Sequence, residues 1–312
     1  MTPVVALIQP LAGIAHLLAH PFLRYAVLAG TATAVASGVV GYFLVLRAQV
    51  FTADALTHVA FTGALGALIV GVDLLAGLYV ACVVVALALG GLGWRGRADD
   101  AVIGSVFAWV LGLGALFLTV YSASSLGSNG TAGVSVLFGT IFGLSGSQAV
   151  ADAAVAGVVV VAGLAIARPL LFATVDEGVA AARGVPVRGL GLSFLALVGL
   201  TAAAATQAVG ALLLLGLLAA PAGAAQRLSP RPYRALGLSV ALAVGSVWGG
   251  LGLAYAYPLV PPSFGILAIA TAAYLVALAV TAGPARAPDR RVQVRPGADG
   301  VAAGAVARTP PP

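Results

Sequence analysis

Residues 54–93 read DALTHVAFTGALGALIVGVDLLAGLYVACVVVALALGGLG. A bilayer core of about 30 Å is crossed by about 20 mostly apolar helical residues, so this stretch is long enough for two crossings joined by a turn. Gly71, Asp73 and Gly77 are the residues in it that could mark the turn. The same reading repeats along the chain. Apolar runs cover residues 25–46, 101–121, 148–167, 190–206, 208–226, 235–257 and 263–282. The expectation is an all-α, polytopic transmembrane protein of eight or nine spans. The count turns on joins such as the one around Thr206, Gln207 and Gly210, where residues 190–226 are otherwise continuous.

Composition agrees and also excludes. Of the 312 residues, 61% are hydrophobic and 8% charged, far from the balance of a soluble domain. All 15 basic residues are arginine. Without lysine there is no phosphate-binding loop of the Gly-rich, Lys-Ser/Thr type and no lysine base or Schiff base, so this chain is not expected to hydrolyse ATP. Cys82 is alone in an apolar run and Met1 is the sole methionine. Cysteine clusters and a thioether path for cuprous ions are therefore excluded, and Cys82 reads as a small buried hydrophobe. No cofactor is expected in the chain, and no nucleic acid partner.

Cytoplasmic loops retain positive charge. Placing Arg95 and Arg97, then Arg168, Arg183 and Arg188, then Arg227, Arg231 and Arg234, and the tail from Arg286 on that side brings Arg47 there by parity and leaves only Arg24 outside. The loops around Asp73, 122–147, Gln207 and Pro258–Pro262 then face outward, and the protein is a multi-pass cell (inner) membrane protein. Residues 1–21, which carry His16 and His20, read as an interfacial segment or one more crossing. A cleaved signal peptide is disfavoured because no basic residue precedes the apolar run. Residues 22–283 form the membrane domain, and 284–312, rich in Pro, Arg, Ala and Gly, read as a disordered cytoplasmic tail. No internal repeat is visible.

A carboxylate within hydrocarbon costs about 2.5–3.5 kcal/mol on insertion scales, so each acid needs an account. Six of the nine lie in cytoplasmic segments, and Asp73 and Asp152 fall at outer ends of spans, within reach of water. Asp54 remains, with His58 four residues later on the same helix face. One oxygen and one nitrogen donor in an apolar helix suit manganese, zinc or ferrous iron. Such binding would need His58 neutral and Asp54 ionised, so it should weaken in acid. A structural Asp54–His58 hydrogen bond, or a helix cap by Asp54, would explain the pair equally well. His16 and His20 are also four apart, but beside Pro21 they read better as solvated or headgroup-facing.

Residues 170–190, LLFATVDEGVAAARGVPVRGL, interrupt two spans on the arginine-rich side. Asp176 and Glu177 suit the first turn of a short Ala-rich helix, and Arg183, Gly184 and Pro186 suit its end. A partner subunit could grip such a helix, though an ordinary loop helix would look the same.

Four stretches, RAQVFTADALTHVAFTGAL, GRADDAVIGSVFAWVLGLGALFL, SVLFGTIFGLSGSQ and VDEGVAAARGVPVRGL continuing through TQAVGALLLLGLLAAPAGAAQRLSP, resemble in order and spacing the membrane permease subunit of the metal-type ABC importers, the family that takes up manganese, zinc or iron. The likeness covers roughly residues 22–282. It implies a helical permease of ABC importer type that works as a dimer, with the metal path between two copies. It implies an ABC ATPase subunit holding the ATP and an extracytoplasmic metal-binding protein as partners. The family commonly reads Asp-Ala-Leu-Ser-His where Asp54-Ala55-Leu56-Thr57-His58 stands, which associates Asp54 and His58 with the metal path. Asp176, Glu177, Arg183, Gly184 and Pro186 correspond to the segment, here 174–189, that docks on the ATPase. Two departures stand out: Phe61-Thr62-Gly63 replaces a frequent Leu-Pro-Gly, and Thr140 replaces a frequent acid. On the residues alone, an ion-gradient-driven metal carrier and a silent membrane scaffold remain as alternatives.

Overall fold

The computed structural model of the chain describes residues 21–93, 100–123, 136–137, 139–211 and 214–282. His16, His20, Arg95, Arg97 and the tail expected at 284–312 lie outside the described residues. The described chain is helical: α1 Pro21–Leu46, α2 Val50–Val70, α3 Leu74–Leu92, α4 Asp100–Ala123, a 3-10 turn Ile141–Gly143, α5 Gly146–Val175, α6 Glu177–Ala182, α7 Val187–Val209, α8 Leu214–Leu228, α9 Pro232–Ala256 and α10 Pro262–Thr281. Eight of these are long and apolar enough to cross a membrane. The span expected at 208–226 corresponds to α8, whose helix has 15 residues. At 1.5 Å per residue the helical part covers roughly 22 Å of a core of about 30 Å.

Local chemistry sets the ends. The α2–α3 turn is made by Gly71, at φ 77°, whose neighbour Val72 donates its N–H to the Ala67 carbonyl at 2.9 Å. Asp73 then caps α3, accepting from the Ala76 N–H at 3.0 Å. Gly71 and Asp73 thus form the turn as the sequence predicts, but Gly77 is not part of it. Gly77 lies inside α3 against Gly63 of α2, where a Cβ on either glycine would run into the other's carbonyl and into Ala67 or Ala81. The α5 start is fixed by a capping box, Ser145 and Gln148 each bonding the other's backbone N–H. Helix α2 is unbroken through Phe61-Thr62-Gly63: Thr62, unlike a proline, keeps its N–H, and its hydroxyl donates to the Val110 carbonyl of α4 at 3.1 Å.

Helices that are apolar all round cannot be sorted by a hydrophobic face, so close contact through small residues decides which sides meet. The core shows this, with alanines such as Ala34, Ala53, Ala60, Ala64, Ala202 and Ala225 fully enclosed. Helices α1 and α7 are the most enclosed, whereas only 17% of the central part of α4 and 22% of α10 is buried. Those two helices therefore present apolar side chains, Trp109 and Val280 among them, to lipid or to another chain. Bonds between helices group the ends. Gln226 of α8 donates to the Tyr42 carbonyl near the end of α1, joining two ends next to arginines, as parity requires.

The glycine contacts give a paired test. Gly77→Ala should lower the melting temperature of the purified protein in detergent and reduce the monodisperse fraction. Gly112→Ala, where nothing lies within 4 Å, should leave both unchanged or raise stability by up to about 1 kcal/mol through helix propensity. Equal effects would contradict the close-approach account.

Candidate functional site

Asp54 is the fifth residue of α2, roughly 6 Å along the axis from its start. Gln49 occupies the N-cap position, so Asp54 does not cap the helix. His58 stands one turn further on the same face, and both side chains are half-buried. Phe51, 45% exposed, continues that face outward. The His58 ring meets Phe107 of α4 edge to face at 5.1 Å, and Phe107 also packs on Phe51 at 6.0 Å. This aromatic contact holds the imidazole against α4. Among the described residues no hydrogen bond joins Asp54 to His58, and the Asp54 carboxylate has no hydrogen-bonding side chain. Its backbone carbonyl accepts from Thr57 at 2.7 Å. The pair therefore presents one carboxylate and one imidazole on an open helix face. Among the described residues no group of three or more His, Cys, Asp and Glu gathers in one place, so one copy of the chain offers two donors to an ion that takes four to six.

The expectation that Asp152 is reached by water is wrong. Because the capping box starts α5 at Gly146, Asp152 falls nearly two turns inside the helix, and it is 1% exposed. The hydroxyl of Tyr79 on α3 donates to its Oδ1 at 2.7 Å. The amide of Gln207, two residues from the end of α7, faces the same carboxylate. With its nitrogen turned inward it donates to Oδ1 at 2.8 Å and to Oδ2 at 3.2 Å, whereas its oxygen there would set two acceptors face to face. A buried carboxylate is thus met by two neutral donors from two neighbouring helices. This node pins α3, α5 and α7 together at the end remote from the arginines. The signal in the sequence was the common depth of Tyr79, Asp152 and Gln207 near span ends on one side. Gln207 also lines a cavity of about 170 Å³ with Gln148, Thr140 and the α3 residues Leu74, Leu75 and Leu78. Thr140, in the place of the family's frequent acid, is therefore a neutral wall residue of that cavity.

At the arginine-rich end, the short helix expected after residue 175 is α6. Asp176 caps it, accepting from the Val179 N–H at 2.9 Å, with Glu177 in the first turn. Arg183 ends it, Gly184 takes φ 81°, and Pro186 is the N-cap residue of α7. Ala180 is buried beneath α6, while Asp176, Gly178, Val179 and Arg183 face outward. The helix is amphipathic across a single turn, with a polar and Val-bearing surface left for something outside the chain.

Comparison with known proteins bears on all of these elements. Residues 19–281 match the family model described as the ABC 3 transport family. The chain is 29% identical over 246 residues to the manganese transport system membrane protein MntC of Halalkalibacterium halodurans, covering 78% of this chain and 82% of that protein. It is 28% identical over 204 residues to the chelated iron transport system membrane protein YfeD of Yersinia pestis, covering 65% and 67%. Among solved structures, PsaBC from Streptococcus pneumoniae in complex with Fab contains a chain that superposes with a TM-score of 0.73 at 24% identity, over 85% of this chain and 95% of that one. That superposition bears on the fold.

The three-helix node has a measurable consequence. Tyr79→Phe deletes a donor to a buried carboxylate and should cost about 1–3 kcal/mol, read as a lower melting temperature in detergent. Adding Asp152→Leu should recover part of that loss, because the variant then buries no under-bonded charge. A double variant less stable than the sum of the two single changes would contradict the pairing.

Proposed function

Given that this chain belongs to the ABC 3 transport family, we propose that it is the membrane permease of an ATP-driven importer of a divalent transition metal, manganese, zinc or ferrous iron, with Asp54 and His58 as ligands on the metal's path. Family membership displaces the ion-gradient carrier and the silent scaffold. The observation that carries the site reading is the contrast between the two carboxylates inside the spans. Asp152 is enclosed and bonded, whereas Asp54 stands half-buried beside an imidazole that, among the described residues, makes a ring contact and no hydrogen bond. The names of relatives that handle manganese or iron support this choice of cargo.

The mechanism follows from the chemistry of the donors. An extracytoplasmic binding protein delivers the ion. The Asp54 carboxylate and the neutral His58 imidazole replace part of its hydration shell, and a second copy of the chain with its own pair, together with water, completes the coordination. One oxygen and one nitrogen per copy hold such an ion without the permanence of a thiolate cage, as a path requires. Phe107 keeps the imidazole oriented. The ATPase subunit docks on the outward side of α6, where Asp176, Glu177, Arg183, Gly184 and Pro186 set the helix and its exits, and nucleotide-driven closure moves that helix. ATP is bound and hydrolysed by the partner, and this lysine-free chain supplies the path.

The test is uptake of manganese, zinc and iron by cells lacking other importers and expressing the wild type, Asp54→Ala or His58→Ala at equal membrane abundance. Each substitution should reduce uptake of the transported ion by at least about ten-fold, the scale of losing one good ligand. Wild-type uptake by both variants would overturn the site assignment.

A further inference from the structure

The turn between α1 and α2 is closed by a buried arginine. Arg47 is 4% exposed, whereas every other arginine among the described residues is exposed. Its Nε donates to Gln49 Oε1 at 3.3 Å, a terminal guanidinium nitrogen donates to Thr174 Oγ1 at 3.3 Å, and the guanidinium lies 5.7 Å from the centre of the Phe194 ring of α7. Burying a guanidinium is costly, and a lysine could not reproduce the fork and the ring contact together. The turn itself is held in a sparsely populated shape. Ala48 has φ 55°, and Arg47 and Gln49 donate their N–H groups to the carbonyls of Phe43 and Leu44, each at 2.9 Å. A non-glycine residue there persists only when its surroundings fix it.

The location gives this side chain its meaning. Thr174 is two residues before Asp176, the cap of α6, and its own hydroxyl donates back to the Leu170 carbonyl at 2.6 Å, so it is a rigid part of the end of α5. Arg47 is three residues before the start of α2 and seven before Asp54. One side chain therefore spans from the base of the docking helix to the head of the helix that carries Asp54 and His58. Among the described residues no backbone hydrogen bond joins α5 to α2.

We propose that Arg47 is the positioning residue that passes movement of the α6 segment to α2, so that closure of the ATPase subunits shifts Asp54 and His58. This rests on the metal-importer reading above. A rigid element with two arrangements that both sites bias is the physical requirement for such coupling, and a guanidinium bonded at both ends of the gap supplies the link. Phe194 provides the fixed surface over which the guanidinium rests.

The experiment uses the assembled complex of permease, ATPase and binding protein in liposomes, with ATP hydrolysis and metal uptake measured in the same sample. Mn²⁺, Zn²⁺ and Fe²⁺ are each offered to the wild type, and the transported ion is the probe. Arg47→Lys and Thr174→Val should lower uptake on the order of ten-fold more than they lower ATP hydrolysis, so that more ATP is spent per ion. A fall of both rates in proportion, or no change in either, would overturn the proposal, since a merely structural role does not alter their ratio. If Arg47→Lys fails to assemble, Thr174→Val decides alone, because it removes one hydroxyl and nearly preserves shape. A wild-type complex that hydrolyses ATP but takes up none of the three ions would instead defeat the importer reading, an outcome separate from an unchanged ratio in the variants.

Discussion

A carboxylate inside a membrane must be met by donors, by water or by a cation, and the architecture of this protein is organised around how its two intramembrane carboxylates meet that demand. Asp152 is met by protein: Tyr79 and Gln207 close on it from two other helices and join α3, α5 and α7 at the ends remote from the arginines. Asp54 is not. It stands on an open face of α2 with His58 one turn away. The same physics that makes the first a structural node makes the second, on the function proposed above, a place for a passing ion. The difference lies in the neighbours, since each acid is the single carboxylate of its helix.

The helices that frame these sites are joined by contacts that carry no charge. Small residues let α2 and α3 approach until backbone meets backbone at Gly63 and Gly77, so the helix bearing Asp54 is backed by a close-packed partner. Thr62 fastens its other side to α4. The peripheral helices α4 and α10 remain largely uncovered, which is where lipid or a second copy of the chain would lie. At the arginine-rich end the turn around Arg47 and the start of α6 are held by one side chain.

Much of this was legible in the sequence, and the exceptions have particular causes. Span positions follow from apolar length, the α2–α3 turn from Gly71 and Asp73, and the short helix α6 from the acids at its head and Arg183, Gly184 and Pro186 at its end. These are local signals. Gly77 was misread as a turn marker because a glycine demanded by a neighbouring helix looks the same in sequence as one demanded by a turn. Asp152 was placed in reach of water because distance from an apolar boundary says nothing about what packs over it. The capping box that sets the boundary seven residues earlier was the missed clue. Arg47 was read only as a marker of side, since its burial depends on Thr174 and Phe194, more than a hundred residues away. Helix α8 is shorter than its apolar run because the chain breaks at Gly210, with φ 97°, before the helix starts. The face shared by Asp54 and His58 was visible from spacing. That the two are not bonded to each other required the structure.

The central claim is that a metal ion in transit is held by Asp54 and His58. The most direct measurement is X-ray absorption at the metal edge of the assembled complex, loaded with the ion it transports and trapped with a non-hydrolysable ATP analogue. A first shell containing imidazole nitrogen, absent from the His58→Ala complex, is the predicted result. An all-oxygen shell, or an imidazole signal that survives His58→Ala, would contradict it.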